Sequence, residues 1–544
     1  AESSSITLRT DSNGIDLGNS SQVKSVLAAM ADKLTYSAYA QGERNLSGSA
    51  EIAEGLTAGS RALEISKLGF DGSTGKASVT GSLAKAYNAP ITGDLAKDTA
   101  YAYVGKADGD TTTYTFTGDT YINNTMSIEG ATSNPGNMKY GVTVYPDAGK
   151  TVVLDMQGHD LTIENNIGQG KMAQSTTSVI YPVNNKSSVY IKNPGKIDLS
   201  TFSGGYYGGG IAAGDRAPKT ADPSNVTIDN ASDWDHAVKI RGVMGMGGMN
   251  FGNIFNVNWT TMKAFNHGHI DIKGLADFYA YGAWNLSAIG NDGWIKIGGG
   301  KFISDSYDSV DAYDKGSIWL NAQGTPSEGN MTSLGNVLQI GGNIHGSGQW
   351  VGSGSGGNIY AAFDRDDSWF DGIANADGGS INLIFRNGAK WTNKDGGFRY
   401  GGDSTFDGTT KSSVDYFYGA DSADKTGFIE QRQEGDLSFN HYQGYTTVYY
   451  NHDSSDATKM LGGYTVVKSA AQTDGKNAEI ALRTDSNGID LDNSTQVNSV
   501  LNNLAHKLVY DGYTSGERNL DGYAQIAEGM TSSSYTKQLP IYFD

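Results

Sequence analysis

The sequence predicts an all-β chain: a right-handed parallel β-helix flanked by two copies of a small strand-helix-strand module. Three observations carry that expectation: a composition suited to turns and short strands, an ungapped internal duplication, and a run of short alternating segments between the copies. The 544 residues include 74 Gly and 31 Tyr but only 9 Pro. Glycine accepts tight turns without steric cost and tyrosine suits a half-buried pleated surface, so short strands are favoured over packed helices. A hydrophobic fraction of 38% is too high for a disordered chain. The length exceeds that at which one compact core stops growing, which favours an elongated repeat array.

The duplication comes first in the chain. Residues 6–57, opening ITLRTDSNGIDL and closing GERNLSGSAEIAEGLT, recur without a gap at 480–531 as IALRTDSNGIDL through GERNLDGYAQIAEGMT. About 35 of the 52 aligned positions are identical. Within each copy a helix is expected: Asn19, Ser20 and Ser21 offer an N-cap, and Val23, Val26, Leu27, Met30 and Leu34 follow at helical spacing. The second copy repeats the stripe as Val497, Val500, Leu501, Leu504 and Leu508. Substitutions such as Ala28 against Asn502 fall off the stripe, which marks it as a buried face in both copies. These features bound an N-terminal module at 1–72 and a C-terminal module at 476–544.

A Gly, Ser and Thr-rich stretch at 73–111 reads as a connector. From 112 to 475 come short alternating segments ended by Gly, Asn or Asp, among them 151–154, 188–191, 225–228, 269–272, 294–297, 317–320 and 380–383. Val226 with Ile228, or Ile270 with Ile272, places an apolar side chain on every second residue, so one face packs inward. Hairpin signals are sparse, Asn387-Gly388 being one, which favours stacked parallel rungs over an antiparallel sandwich.

The order of segments resembles a known family. VLDMQGHDLTI at 153–163, NGAKW at 387–391, GDLSF at 435–439 and TTVYYNHD at 446–453 precede the GERNL and IAEG module. Together they resemble the passenger region of autotransporter-type surface proteins of diderm anaerobic bacteria. That resemblance implies a parallel β-helix exported through the outer membrane and displayed outside the cell. It further implies a translocating β-barrel, and this sequence departs from that pattern by ending on a second copy of the module, which leaves the mode of anchoring open. Residues 1–3 carry no basic or apolar signal region, and a secretion signal is expected outside them.

Charge and motifs narrow the function. Forty Lys and Arg against 59 Asp and Glu give a net charge of −19, which repels nucleic acid. The absence of cysteine excludes disulfides, thiolate metal sites and a cysteine nucleophile. No apolar run is long enough for a membrane-spanning helix. Asp233-Trp234-Asp235-His236 resembles the aromatic-x-Asp-His element of pectate lyases, and Arg216-Ala217-Pro218 resembles the start of their Arg-x-Pro-x-x-Arg motif. Ala221 stands where the second arginine would fall. Without that cation nothing stabilises the carbanion-like charge of β-elimination, and both segments read as turns. Asp364, Asp366, Asp367 and Asp371 could pair as a glycosidase acid and base or collect calcium, yet acidic loops are expected at this net charge. His267 and His269, two apart on a strand, lack a third ligand at metal-site spacing. The serines of 352–356 lie out of register with a nucleophile elbow, and Met244, Met246 and Met249 read as core filler. No cofactor, metal or catalytic residue is expected.

Aromatics are the more suggestive feature. Tyr206 and Tyr207, Tyr279 and Tyr281 with Trp284, and Tyr416 with Tyr418 could face a ligand or stack inside the array. The expected function is a surface structural or adhesive β-solenoid, with a secreted carbohydrate-active enzyme or a soluble secreted effector as rivals. Expected partners are other copies or neighbouring repeats, and a host or bacterial glycan or protein. The duplicated ends suggest end-to-end joints, with Glu43, Arg44, Glu517 and Arg518 on a shared polar turn as candidate contacts.

Overall fold

The computed structural model describes residues 4–11, 13–15, 20–53, 62–79, 103–123, 144, 146–167, 178–182, 186–203, 210–215, 221–244, 260–281, 284–304, 308–347, 356–376, 378–395, 411–529 and 535–543. Strands make up 53% of it, helices are few, and the chain is all-β. The pairing is mostly parallel. Two compact units divide the chain, Ala1–Ile211 with Met244–Val257 and Ala212–Val243 with Asn258–Asp544.

The first unit opens with the N-terminal module. Strand Ser4–Thr10 pairs in parallel with Leu46–Ala53, which pairs antiparallel with Ala62–Phe70 and that in turn with Ala77–Val79. A parallel pair needs a crossover, and helix Ser20–Ala31 supplies it. Its Val23, Leu27 and Ala31 pack on Ala50, Ile52, Leu68 and Ala77. Because Ala77 belongs to that core, the module's sheet runs to Val79, past the boundary expected at 72 and into the segment read as a connector. Beyond it, hairpin strands Tyr103–Asp108 and Thr111–Phe116 lead into two short parallel stacks. One runs from Thr111–Phe116 to Thr151–Asp155 and Ser188–Lys192, the other from Thr120–Asn123 to Leu161–Ile167 and Ile197–Ser203. Tyr114, Leu154 and Ile191 come into one buried row.

The second unit holds three columns of parallel strands. In the first, Val226, Ile270, Ile295, Ile318, Ile359 and Ile381 follow one another in register, each at most 1% exposed. In the second, Phe278, Phe302, Ile340, Phe370, Trp391, Ile429 and Val448 do the same. A third, shorter column runs Thr260–Ala264, Trp284–Ile289, Val310–Tyr313, Ile344–Ser347 and Ala374–Asn375. Each fully buried Ile or Phe contributes about 1.5–3 kcal/mol, so these rows dominate the stability of the unit.

Corners between columns use left-handed backbone. Asn321 (φ 52°) is wholly buried and donates its amide to the carbonyls of Asn336 and Ala362. Asn387 and Gly388, read from the sequence as a hairpin turn, take φ 54° and 80°. They are a turn, but the strands they join, Ser380–Phe385 and Lys390–Asn393, pair with other strands in parallel and not with each other. The two-residue geometry of a hairpin here serves a corner.

The C-terminal module repeats the N-terminal one. Ala478–Thr484 pairs in parallel with Leu520–Ala527, and Tyr535–Ile541 adds antiparallel. The register Ser4 to Leu46 through Thr10 to Ile52 is reproduced as Ala478 to Leu520 through Thr484 to Ile526. Both copies carry a bulge at the same place, Ile52/Ala53 and Ile526/Ala527. Helix Ser494–Ala505 is capped by Asn493, whose side chain accepts from the Gln496 N–H, as the sequence leads one to expect. Among the described residues, α-helix occurs only in the two modules.

Candidate functional site

The most constructed locus among the described residues is the seam where the second unit's columns meet the C-terminal module. Strand Tyr445–Tyr450 pairs in parallel with Ala478–Thr484, setting Thr446 against Ile480 and Val448 against Leu482. Alongside, Thr465–Val467 pairs with Leu508–Tyr510. The module therefore continues two columns, and the buried row of Trp391, Ile429 and Val448 runs on through Leu482 and Ala524 without a break. Hairpin strands His452–Asp453 and Asp456–Met460 pack on helix Ser494–Ala505, where Asn503 Nδ2 donates to the Thr458 carbonyl at 2.7 Å.

Polar groups pin the seam. The Glu517 carboxylate accepts from Tyr510 Oη at 2.8 Å, and from Ser469 Oγ and the Ala470 N–H at 3.2 Å each. Those donors, Tyr510 foremost, hold Glu517 below the usual carboxylate range. Asn519 Nδ2 donates to the Ala470 carbonyl at 3.1 Å. Asp485 accepts from Tyr449 Oη at 2.5 Å and lies 3.2 Å from His452 Nε2. Burial pushes Asp485 up, but the hydrogen bonds from Tyr449 and the Asn487 N–H outweigh it and its pKa is lowered.

The four residues of the shared turn thus divide. Glu517 touches the end of the columns, whereas Arg518 lies 3.6 Å over the Tyr513 ring of its own module and donates to the Tyr513 carbonyl. Arg44 repeats that stack, 3.6 Å over Tyr39. Glu43 is exposed, and its carboxylate has no partner among the described residues.

The other sequence candidates are less built. Tyr206, Tyr207, Arg216, Pro218, Met246, Met249 and the 352–355 serines lie outside the described residues, as do the side chains of Tyr281 and Trp284. Tyr279 is 38% exposed on the outer face of the second column. Phe417 points inward, while Tyr416 faces out and stacks on His441 at 4.5 Å. Asp233 Oδ1 accepts from the His236 N–H at 2.9 Å and contacts His236 Nδ1 at 2.7 Å, the pattern of a turn. Asp364 is engaged by Arg386 and Asn387, and Asp367 by Arg365. His267 sits in the left-handed turn (φ 54°) ahead of strand Gly268–Tyr281, so the two histidines do not share a strand face; both approach Asp292, at 3.6 and 3.1 Å. Among the described residues no group of three His, Asp or Glu side chains could hold a metal.

Sequence reasoning missed one cluster. On the face of the third column opposite Met262, Leu286, Val310 and Ile344, the buried Lys263, Ser287, Asp311 and His345 follow in register. His345 Nδ1 lies 3.6 Å from Asp308 and 3.7 Å from Asp311. Burial, with Asp308 adding to it and Lys263 opposing, raises the Asp311 carboxyl well above its ordinary value. No motif spacing marks these residues, because strand pairing alone brings them together.

Comparison with known proteins gave no match: no family model, no curated protein and no solved structure matches the chain.

Proposed function

We propose that this chain is a structural or adhesive protein of the bacterial cell surface. Its middle would be a right-handed parallel β-helix, flanked by two copies of one module, resembling the passengers of autotransporters. What carries the reading is the continuity of the buried rows from the columns into the C-terminal module, with the same module present again at the other end. A stack built this way spends its sequence on uniform rungs and on closing an end, which is the economy of a scaffold. In this reading it is not an enzyme. Supporting that, the lyase-like segment is engaged in a turn, and the acidic side chains at 364 and 367 are paired with arginines. Antibody labelling of intact source cells tests the proposal. Labelling without permeabilisation is expected, and labelling only after permeabilisation would overturn it.

One observation favours a second reading, a secreted carbohydrate-active enzyme: the nearly buried Lys263, Asp308, Asp311 and His345 group has the mixed acid and base character of a catalytic site. Turnover of a polysaccharide that disappears in Asp311→Asn would establish it.

A further inference from the structure

The two modules share a fold and register but differ in what covers them. In the C-terminal copy, Ile480, Leu482, Val500 and Leu504 are 0% exposed and Leu508 is 6% exposed. Their counterparts in the N-terminal copy are Ile6, Leu8, Val26, Met30 and Leu34. Ile6 is 38% exposed and the other four are only partly buried. The difference follows from three pieces of the second unit. Strand Tyr445–Tyr450 lies along Ala478–Thr484, strand Thr465–Val467 along Leu508–Tyr510, and the 452–460 hairpin over helix Ser494–Ala505. In the N-terminal copy, Ser4–Thr10 is the outermost strand of its sheet and its outer edge pairs with nothing among the described residues. Glu43, the counterpart of Glu517, likewise meets no Ser469 and Ala470 pair.

We infer that the N-terminal module is an acceptor for the end of a second strand array of this chain's own kind. The occupant is residues 445–471 of a second copy, bound by parallel strand addition to Ser4–Thr10, with Thr446 against Ile6, Val448 against Leu8, and Glu43 taking the Ser469 and Ala470 donors. This rests on the end-to-end reading of the duplicated modules and adds the surface, the partner segment and the register. The chemistry is that of an exposed strand edge flanked by an apolar strip, which a matching strand covers at both backbone and side-chain level. The contact is heterologous, since the acceptor and the array end are different surfaces, so chains joined through it run head to tail wherever an array end is released from its own module. In a second copy the array end is held by that copy's own C-terminal module, a tethered competitor, so exchange shows only where that module is weakened.

Two experiments on the whole chain decide it. The chain has no cysteine, so an introduced pair reports one contact. In the seam Thr447 stands opposite Ala481, whose counterpart is Thr7. Chain bearing Thr7→Cys is mixed with chain bearing Thr447→Cys and Ile480→Asp, the latter to loosen its own module. A disulfide-linked heterodimer that is lost when Ile6→Asp is added to the first chain is the expected result. No heterodimer, or one indifferent to Ile6→Asp, would overturn the inference. Should the loosened chain fail to fold, a chimera with residues 478–527 replaced by 4–53 asks the same question in cis. Amides of 445–450 and 465–467 are expected to keep hydrogen-exchange protection within about tenfold of the parent, and loss of that protection would count against acceptance. Failure of both with surface labelling intact would leave the surface protein standing and reduce the N-terminal module to a cap.

Discussion

At the residue scale, Trp391 shows how one side chain joins sequence, packing and stability. It is wholly buried between Phe370 and Ile429, and its indole N–H donates to the Gly372 carbonyl at 2.9 Å, so both its area and its polar atom are satisfied. Trp391→Ala should cost about 3–5 kcal/mol in denaturant unfolding of the second unit. Titration gives a second prediction. Glu517 and Asp485 lie below the usual carboxylate range in the folded seam, so the stability they contribute is present above their unfolded values and lost as pH falls through the folded ones. Glu479, raised by burial and then by Asp521, acts in the opposite sense. Hydrogen exchange at residues 465–471, corrected for its intrinsic pH dependence, should accelerate below about pH 4 in the parent and change less in Glu517→Gln. Asp311 also runs opposite to Glu517: its raised value means stability that is lost as pH rises above the ordinary carboxylate range. Asp311→Asn should flatten that decline in melting temperature. The sequence could nominate Glu517 because the turn is duplicated, but it could not show which of four conserved-looking side chains reaches outward. It was silent on Asp311, whose neighbours come from separate strands.

At the element scale, the strands with strict alternation were legible. The segments at 151, 188, 225, 269, 294, 317 and 380 all form strands; the first six bury alternate residues, and Ser380–Phe385 is buried on both faces. The third column was not legible. Val310–Tyr313 is only four residues long and buried at every position, the acidic Asp311 included, so its polar residues do not mark a solvated face. The seam hairpin, His452–Asp453 with Asp456–Met460, was hidden for the converse reason: its residues are polar and half exposed, and its role comes from the helix it covers. Corners supply the third prediction. Gly388 holds φ 80°, with the Asp366 side chain 3.1 Å from where a Cβ would stand. Gly388→Ala should therefore cost about 1–2 kcal/mol from left-handed strain, measurable by thermal unfolding.

At the scale of the whole molecule, the parts with recognisable sequence signals are the duplicated modules and the alternating rungs; among the described residues the rungs stack in columns and the C-terminal module continues them. The proposal of a non-catalytic surface protein predicts that purified protein turns over neither pectins, other glycans nor esters; activity abolished by Asp235→Ala or His236→Ala would refute it. The central claim is that one module serves twice, once covered by the chain's own strands and once with its outer edge free of them. Residue-resolved hydrogen exchange on the full chain tests this most directly, because residues 478–484 and 4–10 hold equivalent places in the two modules, share four of seven residues, and each serves as control for the other once intrinsic exchange rates are corrected for sequence. Every other amide of 4–10, those pointing away from Leu46–Ala53, should exchange at rates close to those of unstructured peptide, while all amides of 478–484 stay protected. Equal protection of the two segments would contradict the account.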